Sequence, residues 1–258
     1  MRPLHAISLF ALALCPTISS GTSAYTVWSN GALFIGEDSK NAAESKGVVG
    51  KHCKIFAGPK YVLTTSGNTE FINVRDAKTY DIYRDFIVSA NSIIQESGQP
   101  SVIRDKLIKA ATAFAKKVFG MVGEHDKEQI AKGGLGGTLF WFEGGQPMMW
   151  NFYVALSLKN GSQIETPEKT YPLPVPDGLH STPHVIHQAE SYPDFMTQTV
   201  RQDPVSQLVA VLDKESSLSR RVAPPYTILR MSAMAKTTWM PGDNKKIDPS
   251  LCADQSHF

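Results

Sequence analysis

The dipeptide Asn30-Gly31 sits between two short runs of strand-forming residues, 25–28 (Tyr-Thr-Val-Trp) and 32–35 (Ala-Leu-Phe-Ile). Both positions tolerate positive φ, which a two-residue turn between antiparallel strands requires, so the pair is a strong hairpin signal. A second pair of runs, 54–57 and 61–65, flanks the turn Gly58-Pro59 and closes on Ser66-Gly67. A chain that opens with two hairpins must cover a sheet face, and its middle is suited to that. Phe86, Ile87, Ala90, Ile93 and Ile94 recur on one helical face. Gly98 and Pro100 are expected to stop this helix, and Ser101 to cap a second one carrying Ile103, Leu107, Ala110, Ala111, Phe114 and Val118. Lys106, Lys109, Lys116 and Lys117 lie largely off that face and read as solvated surface. Strands are expected again at 138–143 and 149–158, joined by Gly144-Gly145-Gln146-Pro147. A stretch with Pro167, Pro172, Pro174 and Pro176 reads as loops. Asp203-Pro204 opens a helix to about Arg220, and 225–239 reads as strand. There is no internal repeat and no low-complexity segment. The order strands, helices, strands, helix, strand implies an α+β layered sandwich with helices outside antiparallel sheets.

Composition narrows the class. Of the 258 residues, 42% are apolar and 19% charged, which fits a globular core and excludes a disordered or fibrous chain. Lys and Arg number 26 against 24 Asp and Glu, a formal net charge of +2. That balance, with no long basic block, argues against nucleic acid as a partner. Residues 1–21 have the three-part form of a secretory signal: Arg2, the apolar run 6–15, then Pro16 and the small Ser19, Ser20 and Gly21. The run is too short to span a bilayer. The mature chain is therefore expected to be secreted or periplasmic, free of the membrane, with a net charge of about +1 once Arg2 is lost. Lipidation of Cys15 is disfavoured by the large Leu14 before it. Cys53 and Cys252 survive export and are either bridged or two separate buried thiols.

The order of hairpin, Asp-Ser, Lys, Ser-Gly and two helices resembles the proteasome-type N-terminal-nucleophile hydrolases. The residues that carry the resemblance are the run 31–40 ending in Asp38-Ser39-Lys40, then Lys54-Ile55, then Ser66-Gly67. In that family a mature N-terminal threonine precedes the aspartate by 16 residues and the lysine by 32; counted back from Asp38 and from Lys54, both spacings land on Thr22, directly behind Gly21. The resemblance covers residues 22–70 by motif and 70–240 by order of elements. It implies a four-layer αββα sandwich over 22–240, with 241–258 as an irregular tail, and an amide-bond hydrolase acting on a peptide or small amide without a cofactor. A homo-oligomer is compatible with it.

The resemblance also implies roles. A threonine hydroxyl needs a base, and Thr22 as first residue supplies its own α-amino group, with an unperturbed pKa of about 7.7–8.0. Lys54 favours the neutral amine by like-charge repulsion, Asp38 holds Lys54, and the amide of Gly67 donates to the oxyanion. Substituting Lys54 is expected to leave the fold largely intact while cutting turnover. The Gly-Ser-Gly-like loop of the family is absent from this sequence. Cleavage after Ala24 instead of before Thr22 would remove the nucleophile, so the rival reading is a non-catalytic exported module with the same fold.

Other motifs carry less. His180, His184 and His187 are spaced for one helical face, but Pro183 interrupts them and no matching carboxylate or cysteine joins them, so no metal site is expected. The glycine-dense stretch 133–137 lacks the Lys-Ser/Thr of a phosphate loop and reads as a flexible turn into a strand. Asn160-Gly161-Ser162 is a formal glycosylation acceptor. Trp28, Trp141, Trp150 and Trp239 fall in strand-like runs and are expected to pack in the core.

Overall fold

The computed structural model describes residues 23–42, 49–51, 53–67, 70–73, 78–121, 134–157, 163–165, 171–182, 202–219, 222–234, 236–243 and 245–252. Within them β1 (Ala24–Ser29) and β2 (Ala32–Asp38) form the expected hairpin, with Asn30 at φ 50° and Gly31 at φ 71°. Two short hairpins, β3 (Lys40–Ala42) with β4 (Val49–Lys51) and β7 (Glu70–Asn73) with β8 (Lys78–Asp81), flank the second pair, β5 (Ile55–Ala57) and β6 (Val62–Gly67). Then come helices α1 (Ile82–Ile94) and α2 (Pro100–Met121), and the long hairpin β9 (Gly134–Glu143) and β10 (Gln146–Ser157). Short strands β11 (Gln163–Glu165), β12 (Leu173–Pro174) and β13 (Gly178–Ser181) precede helix α3 (Pro204–Leu218), β14 (Tyr226–Ser232) and β15 (Thr237–Trp239).

The main strands build two antiparallel sheets. One has the order β13-β1-β2-β14-β15, the other β11-β10-β9-β6-β5 with β12 also on β10. Helix α3 lays Leu208, Val211 and Leu212 on Tyr25, Val27 and Ile228 of the first sheet. Helices α1 and α2 lay Phe86, Ile87, Ile103 and Leu107 on Leu63, Leu139 and Phe152 of the second. Between the sheets lie Leu33, Ile35, Ile55, Val62, Phe140, Leu229 and Met231. The layers therefore run helix, sheet, sheet, helices, the four-layer αββα sandwich expected from the sequence.

The inter-sheet layer changes character along its strands. Because alternate residues share a face, the inward positions read Leu33, Ile35, Glu37 on β2 and Met231, Leu229, Thr227 on β14. On the facing sheet they read Val62, Thr64, Ser66 on β6 and Phe140, Thr138, Gly136 on β9. Each series passes from apolar to polar in the same spatial direction. One half of the layer is thus an ordinary core and the other half a buried polar compartment.

Several local readings are corrected. Pro100 does not stop a helix but starts α2, where its missing N–H costs nothing; the amides of Val102 and Ile103 both donate to the Gln99 carbonyl, and Ser101 lies inside the first turn rather than capping it. Residues 134–137 are strand, not a flexible turn. Gly137 is needed there because a Cβ would stand 2.4 Å from the Thr64 carbonyl oxygen and 3.2 Å from the Phe152 ring. The expected strand 225–239 is two strands, β14 and β15. Asp203 caps α3 as its sequence suggests, accepting from the amides of Val205 and Ser206.

Residues 246–248 pair with β14. The Tyr226 amide donates to the Lys246 carbonyl at 2.6 Å, and the Asp248 amide donates back to the Tyr226 carbonyl at 3.0 Å. A 3-10 turn over Pro249–Cys252 then delivers Cys252 into a disulfide with Cys53. The bridged alternative for these two cysteines is the one the structure contains. The strap ties β14 of one sheet to the approach of β5 in the other.

Candidate functional site

The site lies where the polar ends of the two sheets meet. Asp38 ends β2, and Lys54 directly precedes β5. Their side chains form an ion pair of 3.1 Å, with the Lys54 side chain 4% exposed and that of Asp38 fully buried. The other Asp38 oxygen accepts the backbone N–H of Ser23 at 2.8 Å, while the Asp38 amide donates to the Ser23 carbonyl at 3.3 Å. Asp38 therefore fastens both the lysine and the start of β1. Each bond has a charged partner, the strong kind of hydrogen bond, for Lys54 and for the Ser23 amide alike.

β5 is the outer strand of its sheet, yet the Lys54 side chain is buried, a position where removing a charge costs more than at an exposed edge. Cys53 is bonded to the strap at this edge, and the Lys54 carbonyl accepts the Thr65 amide at 3.0 Å. Gly67 occupies the last position of β6, opposite Leu135 of β9, at the same end of the sheet. Thr22 and residues 1–21 lie outside the described residues. Ser23, the next residue after Thr22, is fully buried against Asp38. Among the histidines, His180 is on β13, its Nε2 at 2.9 Å from the Asp177 carbonyl oxygen; His184 and His187 lie outside the described residues.

Sequence reasoning missed four polar groups at this end. Glu37 is fully buried and neither of its carboxyl oxygens has a hydrogen-bond partner among the described residues; the hydroxyls of Ser23, Ser66 and Thr227 are buried and likewise have none among them. Burial pushes the Glu37 carboxyl well above its ordinary range, the nearby Lys54 charge opposes this, and the Asp38 charge adds to it. The signal for Glu37 was present in the sequence: it is two residues beyond Ile35 and four beyond Leu33, on the buried face of its strand.

No protein-family model matches the chain, and no curated protein matches its sequence. Among solved structures it is similar to a Gly-1 mutant of Anbu from Hyphomicrobium sp. strain MC1, at 10% identity and a TM-score of 0.50, over 88% of this chain and 90% of that one. Anbu (ancestral beta-subunit) from Yersinia bercovieri aligns at 10% identity and a TM-score of 0.46, over 92% of each chain. Eukaryotic HslV from Trypanosoma brucei aligns at 12% identity and a TM-score of 0.41, over 82% of this chain and 99% of that one. At such identity the likeness is one of fold: the chain has the proteasome-like α+β sandwich that its motifs resemble.

Proposed function

We propose that this chain is an exported, proteasome-like N-terminal-nucleophile hydrolase that cleaves an amide bond of a peptide or small amide with Thr22. The observation that carries the reading is the buried Asp38–Lys54 pair clasping the amide of Ser23. It holds the chain one residue after the threonine that the 16- and 32-residue spacings select. In this reading the Thr22 amine takes the hydroxyl proton as the hydroxyl attacks the carbonyl carbon. The proton then passes to the leaving amine, and water releases the acyl group by the reverse of the same transfers. Lys54 keeps the amine neutral, and the Gly67 amide supports the oxyanion.

The same clasp supports removal of the leader before Thr22. A cut after Ala24 would delete Ser23 and take from a fully buried carboxylate an amide that donates to it, which is costly. The test is twofold. N-terminal sequencing of the mature protein should begin at Thr22. A β-lactone should then add once per chain on the N-terminal peptide, weakly in Thr22→Ser and not in Thr22→Ala. A mature chain beginning at Tyr25, or no adduct in any variant, refutes hydrolysis and leaves the non-catalytic module.

A further inference from the structure

Two carboxyl groups, Glu37 and Asp38, share the surroundings of one ammonium, Lys54, and all three are buried. With both carboxyls ionised the cluster would hold an uncompensated negative charge away from water, which is strongly unfavourable. One proton must therefore reside on the pair of carboxyls. Its location follows from hydrogen bonding. Asp38 accepts from the Lys54 ammonium at 3.1 Å and from the Ser23 amide at 2.8 Å, and both bonds favour a carboxylate. Glu37 accepts none from the described residues; its cross-strand neighbours are Ala24 on β1 and Thr227 on β14, and neither carries a charge. The inward residues of the facing strands, Thr64, Ser66 and Thr138, are likewise neutral. Among the described residues, the charged groups acting on Glu37 are Lys54 and Asp38.

We propose that Glu37 is a positioning residue that carries the cluster's proton, staying a neutral acid so that Asp38 alone balances and orients Lys54. The assignment rests on the reading of Lys54 as the lysine that tunes an N-terminal amine. Ionised, Glu37 would draw the ammonium toward the inter-sheet compartment and away from Asp38. The neutral acid leaves the lysine with one counter-ion, and its O–H supplies a donor to a compartment whose Thr227 and Ser66 hydroxyls have no partner among the described residues. Neutral Glu37 is thus the condition under which the pair keeps its geometry.

Infrared difference spectra of the full mature chain test this. At pH 7 the wild type should show the carbonyl stretch of a protonated carboxylic acid that Glu37→Gln lacks, and raising the pH should remove it. In Asp38→Asn, Glu37 becomes the only carboxyl able to balance Lys54, so the band should vanish at pH 7. In Lys54→Met, which serves if Asp38→Asn does not fold, the band should persist to higher pH than in the wild type. The pH dependence of β-lactone labelling should lose one limb in Glu37→Gln. A wild-type spectrum without the band, a band unchanged in Glu37→Gln, or one that ignores both Asp38→Asn and Lys54→Met overturns the assignment. The bands as expected, in a chain that takes no adduct at Thr22, uphold the proton on Glu37 and refute the hydrolase reading instead.

Discussion

Replacing Lys54 by methionine keeps the stem and deletes the charge, so its cost isolates the buried ion pair. At 3.1 Å and an effective dielectric constant of about 20, the attraction lost is about 5 kcal/mol. Removing the ammonium relieves its own desolvation but takes from the buried Asp38 its ion-pair partner. Breaking a buried pair from one side costs about 3–5 kcal/mol in general, whereas an exposed pair is worth about 0–1 kcal/mol. Lys54→Met should therefore lose about 3–5 kcal/mol at pH 7, read as unfolding free energy from urea titrations by circular dichroism. Asp38→Asn should cost a similar amount, and the double variant should recover most of it, because two neutral groups then face each other. A single-variant cost below about 1 kcal/mol, or strictly additive losses in the double variant, would refute a buried, mutually dependent pair. Stability and turnover would then be separate questions at Lys54, as the sequence alone suggests.

Three further outcomes follow from the structure. Free-thiol titration of denatured, unreduced mature protein should find no thiol at Cys53 or Cys252, and Cys252→Ser should cost about 2–4 kcal/mol in urea unfolding. Burial raises Glu37 above its ordinary value of 4.5, so the folded state holds a proton that the unfolded chain releases. That contribution is complete below pH 4.5 and fades as pH climbs toward the folded-state value; Glu37→Gln, which cannot titrate, should gain on the wild type across that window, and parallel pH–stability curves would contradict it. Gly58→Ala would put a Cβ 2.1 Å from the Ile94 carbonyl oxygen at the end of α1, and should lower stability by about 1–3 kcal/mol by thermal or urea unfolding; a neutral result would mean that α1 yields at that point.

What was legible in the sequence was what local chemistry dictates. Asn30-Gly31 had to be a hairpin turn, Asp203-Pro204 a helix start, and the apolar face from Phe86 to Ile94 a buried helix. The Asp38–Lys54 pairing was legible only through the resemblance, since nothing local brings together two residues on different sheets. The burial of Lys54 was not legible at all: it sits beside Cys53, on an edge that is joined to a cysteine 199 residues away. Pro100 and the glycines of β9 misled for a related reason. Each reads locally as a breaker, but Pro100 falls where a helix needs no N–H, and Gly137 falls where the neighbouring strand leaves no room for a Cβ. Glu37 was hidden by its charge: a glutamate normally marks the wet side of a strand, and here only the alternation with Leu33 and Ile35 reveals that it faces in.

The disulfide also imposes an order of events on biosynthesis. A chain is made from its N-terminus, and Cys252 follows Cys53 by 199 residues, a delay of roughly 10–40 s at about 5–20 residues per second. Every strand and helix of the described fold is made within or before that interval. While it lasts, Cys53 has no Cys252 to pair with and the edge beside Lys54 is without its strap. The covalent closure of the candidate site therefore comes last, after both sheets have been synthesised. A truncated product released early would carry Asp38 and Lys54 but not the disulfide strap that ties their two sheets together, which separates making the chemistry-bearing residues from fastening the sheets that hold them.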